Sequence, residues 1–193
     1  MPENAAWTKA LERAREHAPF LNRSLDRLPE LEALLAQGEG EAALQWAYDR
    51  GDDEDPAIAL RRERLALASA LAIGDLAGAF PLARVVEELT RFADRALDRA
   101  IRTAIHERTG DDSADGFIAL ALGKQGAGEL NYSSDIDPVL LYDPARLARR
   151  ESDDVGETAQ RYTRRILKLL SEITSEGYVA RVDLRLRPAS EIS

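Results

Sequence analysis

The sequence has no cysteine, one methionine and two histidines in 193 residues. Without cysteine there are no disulfides, no thiolate metal sites and no cysteine nucleophile. The lack fits a reducing cytosol, and a cytoplasmic location is the expectation. The histidines, His17 and His106, stand alone in the sequence, so a histidine metal centre lacks convergent partners. Basic residues are outnumbered: Lys and Arg total 26 against 35 Asp and Glu, a net charge of −9. That balance argues against sequence-independent nucleic-acid binding, which needs clustered cations to displace counterions. It suits a soluble protein that meets its partners through specific contacts. The N-terminus "MPENAAWTKALERAREH" lacks the apolar core of a signal peptide. The most apolar stretch, "LALASALAIGDLAGAFPLA", is broken by Gly74, Asp75, Gly78 and Pro81. Its unbroken part is too short to span a bilayer. It reads as two buried helix segments joined by a turn, and no membrane partner is expected.

Hydrophobic residues make up 45% of the chain while aromatics make up 6%. That is enough apolar content for a folded core. The abundance of Ala, Leu, Glu and Arg predicts helix. Helical patterns fill the chain to about Thr109. "NAAWTKALERAREH" puts Trp7, Leu11 and Ala14 on one side. "LPELEALLAQG" ends at Gly38, a C-cap signal. Asp55 and Pro56 form a cap and first-turn pair for "PAIALRRERLALASALA". In "PLARVVEELTRFADRALDRAIRTAIHERTG" apolar residues recur at three- and four-residue steps from Leu82 to Ile105, giving one continuous apolar face. None of these segments carries a catalytic constellation.

After "DDSADG" the pattern changes. "GFIALALG" reads as a buried strand, and "SDIDPVLLYDP" as a second. "VGETAQRYTRRILKLLSEITSEG" is an amphipathic helix with Tyr162, Ile166, Leu169, Leu170 and Ile173 on one side and Gly177 as its stop. "YVARVDLRLRP" reads as a third strand. The fold class is therefore α+β: a helical N-terminal region over residues 1–113, then a mixed-sheet core over 114–193.

The core carries the chemistry. Side chains alternate along a strand, so Asp135 and Asp137 are neighbours on one face, about 6.5–7 Å apart at the backbone. Their oxygens can reach one divalent ion, or two ions about 3.5–4 Å apart. In the third strand Arg181, Asp183, Arg185 and Arg187 share a face. If that strand pairs beside Asp135 and Asp137, Asp183 becomes a third carboxylate. Such a set suits Mg²⁺ or Mn²⁺, and the arginines suit phosphate oxygens. The preceding loop, "GKQGAGELNYSSDID", adds Gly123, Gly126 and Gly128 for close backbone approach. Lys124 adds a point charge, and Ser133 and Ser134 add hydroxyls. Taken singly, an Asp-x-Asp pair, a Gly/Ser turn or a row of arginines reads as solvated surface. In this order they point to phosphoryl or nucleotidyl transfer, where positioning and charge neutralisation do most of the catalysis. A Walker loop is excluded because Lys124 precedes Gly126, and a dinucleotide fingerprint because Asn131 replaces its third glycine.

The two stretches "GKQGAGELNYSSDID" and "GYVARVDLRLRP" together resemble the bacterial bifunctional glutamine synthetase adenylyltransferase/adenylyl-removing enzyme family. The resemblance implies a nucleotidyltransferase (DNA polymerase β-like) core. It matches Asp135 and Asp137 to the family's metal-binding pair and Asp183 to its third acidic residue. Gly123 and Lys124 fall where that fold contacts phosphate. Gln125, Ala127 and Pro138 depart from the family, which often has Leu, Gly and Leu there. Pro138 removes a ladder donor and predicts an edge or bulge.

The helical lead-in and the forms "ELNYSSDID" and "RVDLRLRP" look more like the N-terminal, adenylyl-removing half. The family's domain continues beyond the third strand, so a fragment is expected. The activity implied is phosphorolysis: phosphate attacks the AMP phosphorus of adenylyl-tyrosine on glutamine synthetase and ADP forms. The implied partners are adenylylated glutamine synthetase, phosphate, ADP or ATP, and a PII-type nitrogen regulatory protein. Two alternatives stay open. One is the reverse transfer of AMP from ATP; the other is a binding module without catalysis.

Overall fold

The computed structural model describes residues 2–52 and 55–184. The chain is α+β, and its contacts divide it into two compact units, Met1–Leu89 and Thr90–Ser193. In the first unit α1 (Pro2–His17), α2 (Pro19–Arg27), α3 (Pro29–Ala36), α4 (Gly40–Asp49) and α5 (Pro56–Leu76) follow one another. A 3₁₀ turn over Arg50–Asp52 lies between α4 and α5. Proline opens α2, α3 and α5, where its missing N–H is no loss. The Asp55 carboxylate accepts from Ala57 N at 2.8 Å, the cap read from the sequence. Trp7, Leu11, Leu31, Leu35, Leu67 and Leu71 are buried. Trp7 meets Phe80 edge to face, with ring centroids 5.8 Å apart. Phe80 lies so close to α5 that a Cβ at Gly74 would fall 2.0 Å from its Cδ2.

The helix α6 (Leu82–Thr109) runs through the division at Leu89 and Thr90. In the second unit it buries Phe92, Leu97, Ile101 and Ile105, the periodic face expected. Strands β1 (Phe117–Ala121) and β2 (Pro138–Tyr142) pair antiparallel, from Phe117 opposite Tyr142 to Ala121 opposite Pro138. Between them lies α7 (Gly123–Gly126), and after them α8 (Val155–Ser171). Asp154 caps α8, accepting from Glu157 N at 2.9 Å. Tyr162, Ile166, Leu169 and Leu170 are buried on its inner side, and the Tyr162 hydroxyl donates to Ala148 O at 2.7 Å.

Four expectations change. First, β1 is not wholly buried: Phe117 is inside, but Ile118 and Leu120 are 55% and 49% exposed. Two paired strands cover only one face here. Second, α8 stops at Ser171, six residues before Gly177, and Ile173 is 80% exposed. The Thr174 hydroxyl accepts from Glu176 N at 3.1 Å, a local turn that competes with helix. Gly177 closes that turn, with N–H to Thr174 O at 3.0 Å.

Third, β2 begins at Pro138 and not at Asp135. The first residue of a strand is a position where proline is tolerated. Fourth, the third strand contributes, among the described residues, a single parallel bridge, Ile136 with Val182. Ile136 N donates to Arg181 O at 2.9 Å, and Asp183 N donates to Ile136 O at 3.0 Å. The next rung of a parallel ladder needs an N–H at residue 138 to reach Asp183 O. Pro138 has none, so the ladder stops after one rung. Arg185 and Arg187, assigned to phosphate, lie outside the described residues.

Candidate functional site

The antiparallel register sets the site. Ala121 pairs with Pro138, so the loop leaves β1 beside the residue where Asp137 ends its approach to β2. Gly123 has φ +56°, a left-handed conformation that glycine adopts without steric cost. A Cβ there would sit 3.3 Å from Asp137 Oδ2. The glycine loop therefore lies beside the Asp137 carboxylate.

The loop itself is a short helix with a defined end. Gly128 N donates to Gln125 O at 3.1 Å and Glu129 N to Lys124 O at 2.8 Å. With φ +73° at Gly128, this is a Schellman closure. Gly126 has a packing reason of its own: a Cβ would lie 2.5 Å from Ala121 O. Lys124 is exposed. Two bonds tie the loop to α6: Gln125 Nε2 donates to Asp94 Oδ1 at 2.8 Å, and Leu130 N donates to Thr90 Oγ1 at 3.2 Å.

Ser133 and Ser134 belong to a turn organised by Asn131. Asn131 Oδ1 accepts from Ser133 N at 3.0 Å, and Ser134 Oγ accepts from Asn131 N at 3.1 Å. The side chain of Asn, two residues before an N–H, is the usual signature of such a turn, and it was legible in "NYSS". The roles of Thr90 and Asp94 were not. They lie 40 and 31 residues from the groups they hold, and no local pattern marks them.

The parallel bridge decides which side chains share a face. Partners in a bridge point the same way, and Ile136 is buried. Asp135, Asp137, Arg181 and Asp183 therefore lie on the opposite face. Arg181 Nε donates to Asp135 Oδ1, and its second nitrogen donates to Ser133 O at 2.5 Å. The hydrogen bond that Arg181 donates to Asp135, with the charge of that carboxylate, raises the Arg181 pKa above its ordinary value. The three aspartates offer the hard oxygen donors that Mg²⁺ and Mn²⁺ take. No three acidic or histidine side chains among the described residues converge tightly enough to hold a metal.

Comparison with known proteins gives the family. A family model described as "Glutamate-ammonia ligase adenylyltransferase" matches residues 8–192. The chain belongs to that family. Three bacterial proteins, each named "Bifunctional glutamine synthetase adenylyltransferase/adenylyl-removing enzyme", show the extent of the likeness. The one from Rhizobium meliloti is 36% identical over 91% of this chain and 19% of its own length. That from Caulobacter vibrioides is 39% identical over 82% of the chain and 16% of its own length. That from Xanthobacter autotrophicus is 40% identical over 72% of the chain and 15% of its own length. The chain thus spans about a fifth of the length of the adenylyltransferase relatives it matches. No helix among the described residues is long and apolar enough to cross a membrane.

Proposed function

We propose that this chain carries part of a nucleotidyl-transfer site, with a nucleotidyltransferase core, that removes AMP from the adenylylated tyrosine of glutamine synthetase by phosphorolysis. The observation that supports this reading best is the shared face of Asp135, Asp137 and Asp183, with Gly123 against the Asp137 carboxylate. In this reading an oxygen of inorganic phosphate attacks the phosphorus of adenylyl-tyrosine. The bond from phosphorus to the tyrosine oxygen breaks, its electron pair leaves on the phenolate, and ADP forms. Lys124, Arg185 and Arg187 hold the phosphate and offset its charge. Asp135, Asp137 and Asp183 would hold Mg²⁺ or Mn²⁺ once Arg181 lets go of Asp135. When bound, the metal supplies Lewis-acid stabilisation of the charge that builds on the transferring group. Gly123, Gly126, Ser133 and Ser134 shape the loop that keeps these groups in register.

The family resemblance adds the N-terminal, adenylyl-removing half, a cytoplasmic setting and a PII-type regulatory partner to this reading. The test is ADP production from adenylylated glutamine synthetase and phosphate. It should be lost when Asp135→Asn and Asp137→Asn are combined, and undiminished ADP contradicts the reading. The names of the relatives carry both directions of transfer, which favours a second reading, AMP transfer from ATP. Pyrophosphate release with ATP and unmodified glutamine synthetase would mark that direction. A chain that takes up neither Mn²⁺ nor ADP in calorimetry would be the binding module.

A further inference from the structure

Arg181 lies on the face of Asp135, Asp137 and Asp183, and its guanidinium is only partly engaged. Nε donates to Asp135 Oδ1, and Nη2 donates to Ser133 O at 2.5 Å. Among the described residues Nη1 makes no hydrogen bond, and neither does Asp135 Oδ2 or the carboxylate of Asp137. Arg181 thus holds Asp135 by one N–H, where a guanidinium can hold an oxyanion by two. The pair is also half exposed, with 57% and 48% of the two side chains open to solvent.

That contact stands against metal binding. A divalent cation and a guanidinium compete for the Asp135 carboxylate, because the two cations repel each other at short range. A guanidinium keeps its proton in a protein, so Arg181 cannot give way by becoming neutral. It releases Asp135 most readily to another anion. The nucleotidyl-transfer reading brings one to this face, inorganic phosphate, which the carboxylates there repel unless a cation stands between.

We propose that Arg181 is a positioning residue that exchanges Asp135 for inorganic phosphate, so that phosphate and metal each favour the other's binding. The inference rests on the nucleotidyl-transfer reading above. Nη1 gives the arriving phosphate its first contact, and Ser133 O holds Nη2 while Nε changes partner. The phosphate oxygens then take two N–H bonds in place of one. Asp135 is left with both oxygens for Mg²⁺ or Mn²⁺. Binding linkage makes the effect mutual.

The experiment reads free Mn²⁺ by electron paramagnetic resonance, with and without inorganic phosphate, for the chain and its Arg181→Gln variant. Phosphate should raise the Mn²⁺ affinity of the parent about two- to fivefold. Arg181→Gln should show that raised affinity without phosphate, and gain no more than about 1.5-fold on its addition. Both proteins meet the same phosphate, so association of Mn²⁺ with phosphate in solution cancels in the comparison. In the parent without metal, phosphate should also shift the Arg181 Nε–H resonance saturably, and this measurement stands if the variant fails to fold. No rise in the parent, an equal rise in Arg181→Gln, or an unmoved Nε–H overturns the proposal while Asp135 and Asp137 keep their place as ligands. Mn²⁺ uptake unchanged by Asp135→Asn with Asp137→Asn would instead overturn the nucleotidyl-transfer reading, and the proposal with it.

Discussion

Arg181 and Asp135 meet side chain to side chain across the parallel bridge of Ile136 with Val182, and the Arg181 guanidinium is also anchored on Ser133 O. Both groups are about half exposed, at 57% and 48% of their side chains. An exposed pair of this kind is weak and easily exchanged. Arg181→Gln should therefore free Asp135 and raise Mn²⁺ affinity by roughly two- to fivefold. Electron paramagnetic resonance of free Mn²⁺ measures this. Unchanged or weaker affinity would mean that Asp135 is not a ligand.

Pro138 limits the pairing of the 181–183 segment to one rung. Pro138→Leu supplies the missing N–H opposite Asp183 O. The new amide at 138 should exchange with solvent roughly three- to tenfold more slowly than an unpaired one, for a net hydrogen bond of about 1 kcal/mol. Hydrogen exchange followed by NMR reads it directly. An unprotected amide at 138 would show that something other than the missing donor ends the ladder.

Much of this was legible in the sequence, because it rests on local signals. Asp55 before Pro56, the apolar steps from Leu82 to Ile105 and the β1 and β2 runs all announce themselves within a few residues. The face shared by Asp135 and Asp137 follows from the two-residue period of extended chain. What was not legible depends on distant partners. By sequence Arg181 is one of a row that suits phosphate, yet its guanidinium goes to an aspartate 46 residues away. Gly177 looked like a helix stop, but the Thr174 hydroxyl turns the chain first. Gln125 looked like one more polar loop residue until α6 placed Asp94 beside it.

Gly74 faces Phe80 with no room for a methyl group. Gly74→Ala gains about 1 kcal/mol in helix propensity. It loses more to overpacking, which costs about 1–3 kcal/mol, because Phe80 is itself buried against Trp7. A net loss of about 1 kcal/mol should lower Tm by roughly 2–4 °C for a chain of this size. Adding Phe80→Leu should recover part of the loss, since neighbouring sites couple. A Tm at or above the parent's would contradict the packing.

Arg108 grips Asp153 with two hydrogen bonds, 3.0 and 2.6 Å long. Those bonds and the guanidinium charge hold the Asp153 carboxyl below the usual aspartate range. A depressed acid contributes stability that is complete above its unfolded pKa of about 3.9 and fades as pH falls through the lower folded value. Arg108→Gln should therefore be less stable than the parent at pH 7, with the gap closing below about pH 3.9. Urea unfolding at several pH values tests it. A gap independent of pH would mean that the pair contributes through packing and not through charge.

The most direct test of the central claim is ADP formation from adenylylated glutamine synthetase with inorganic phosphate and Mn²⁺. This chain within a protein of its relatives' full length should generate ADP, and Asp135→Asn with Asp137→Asn should reduce it to background while leaving the fold, judged by circular dichroism, intact. ADP that persists undiminished in the folded double variant would contradict the assignment of these aspartates to nucleotidyl transfer.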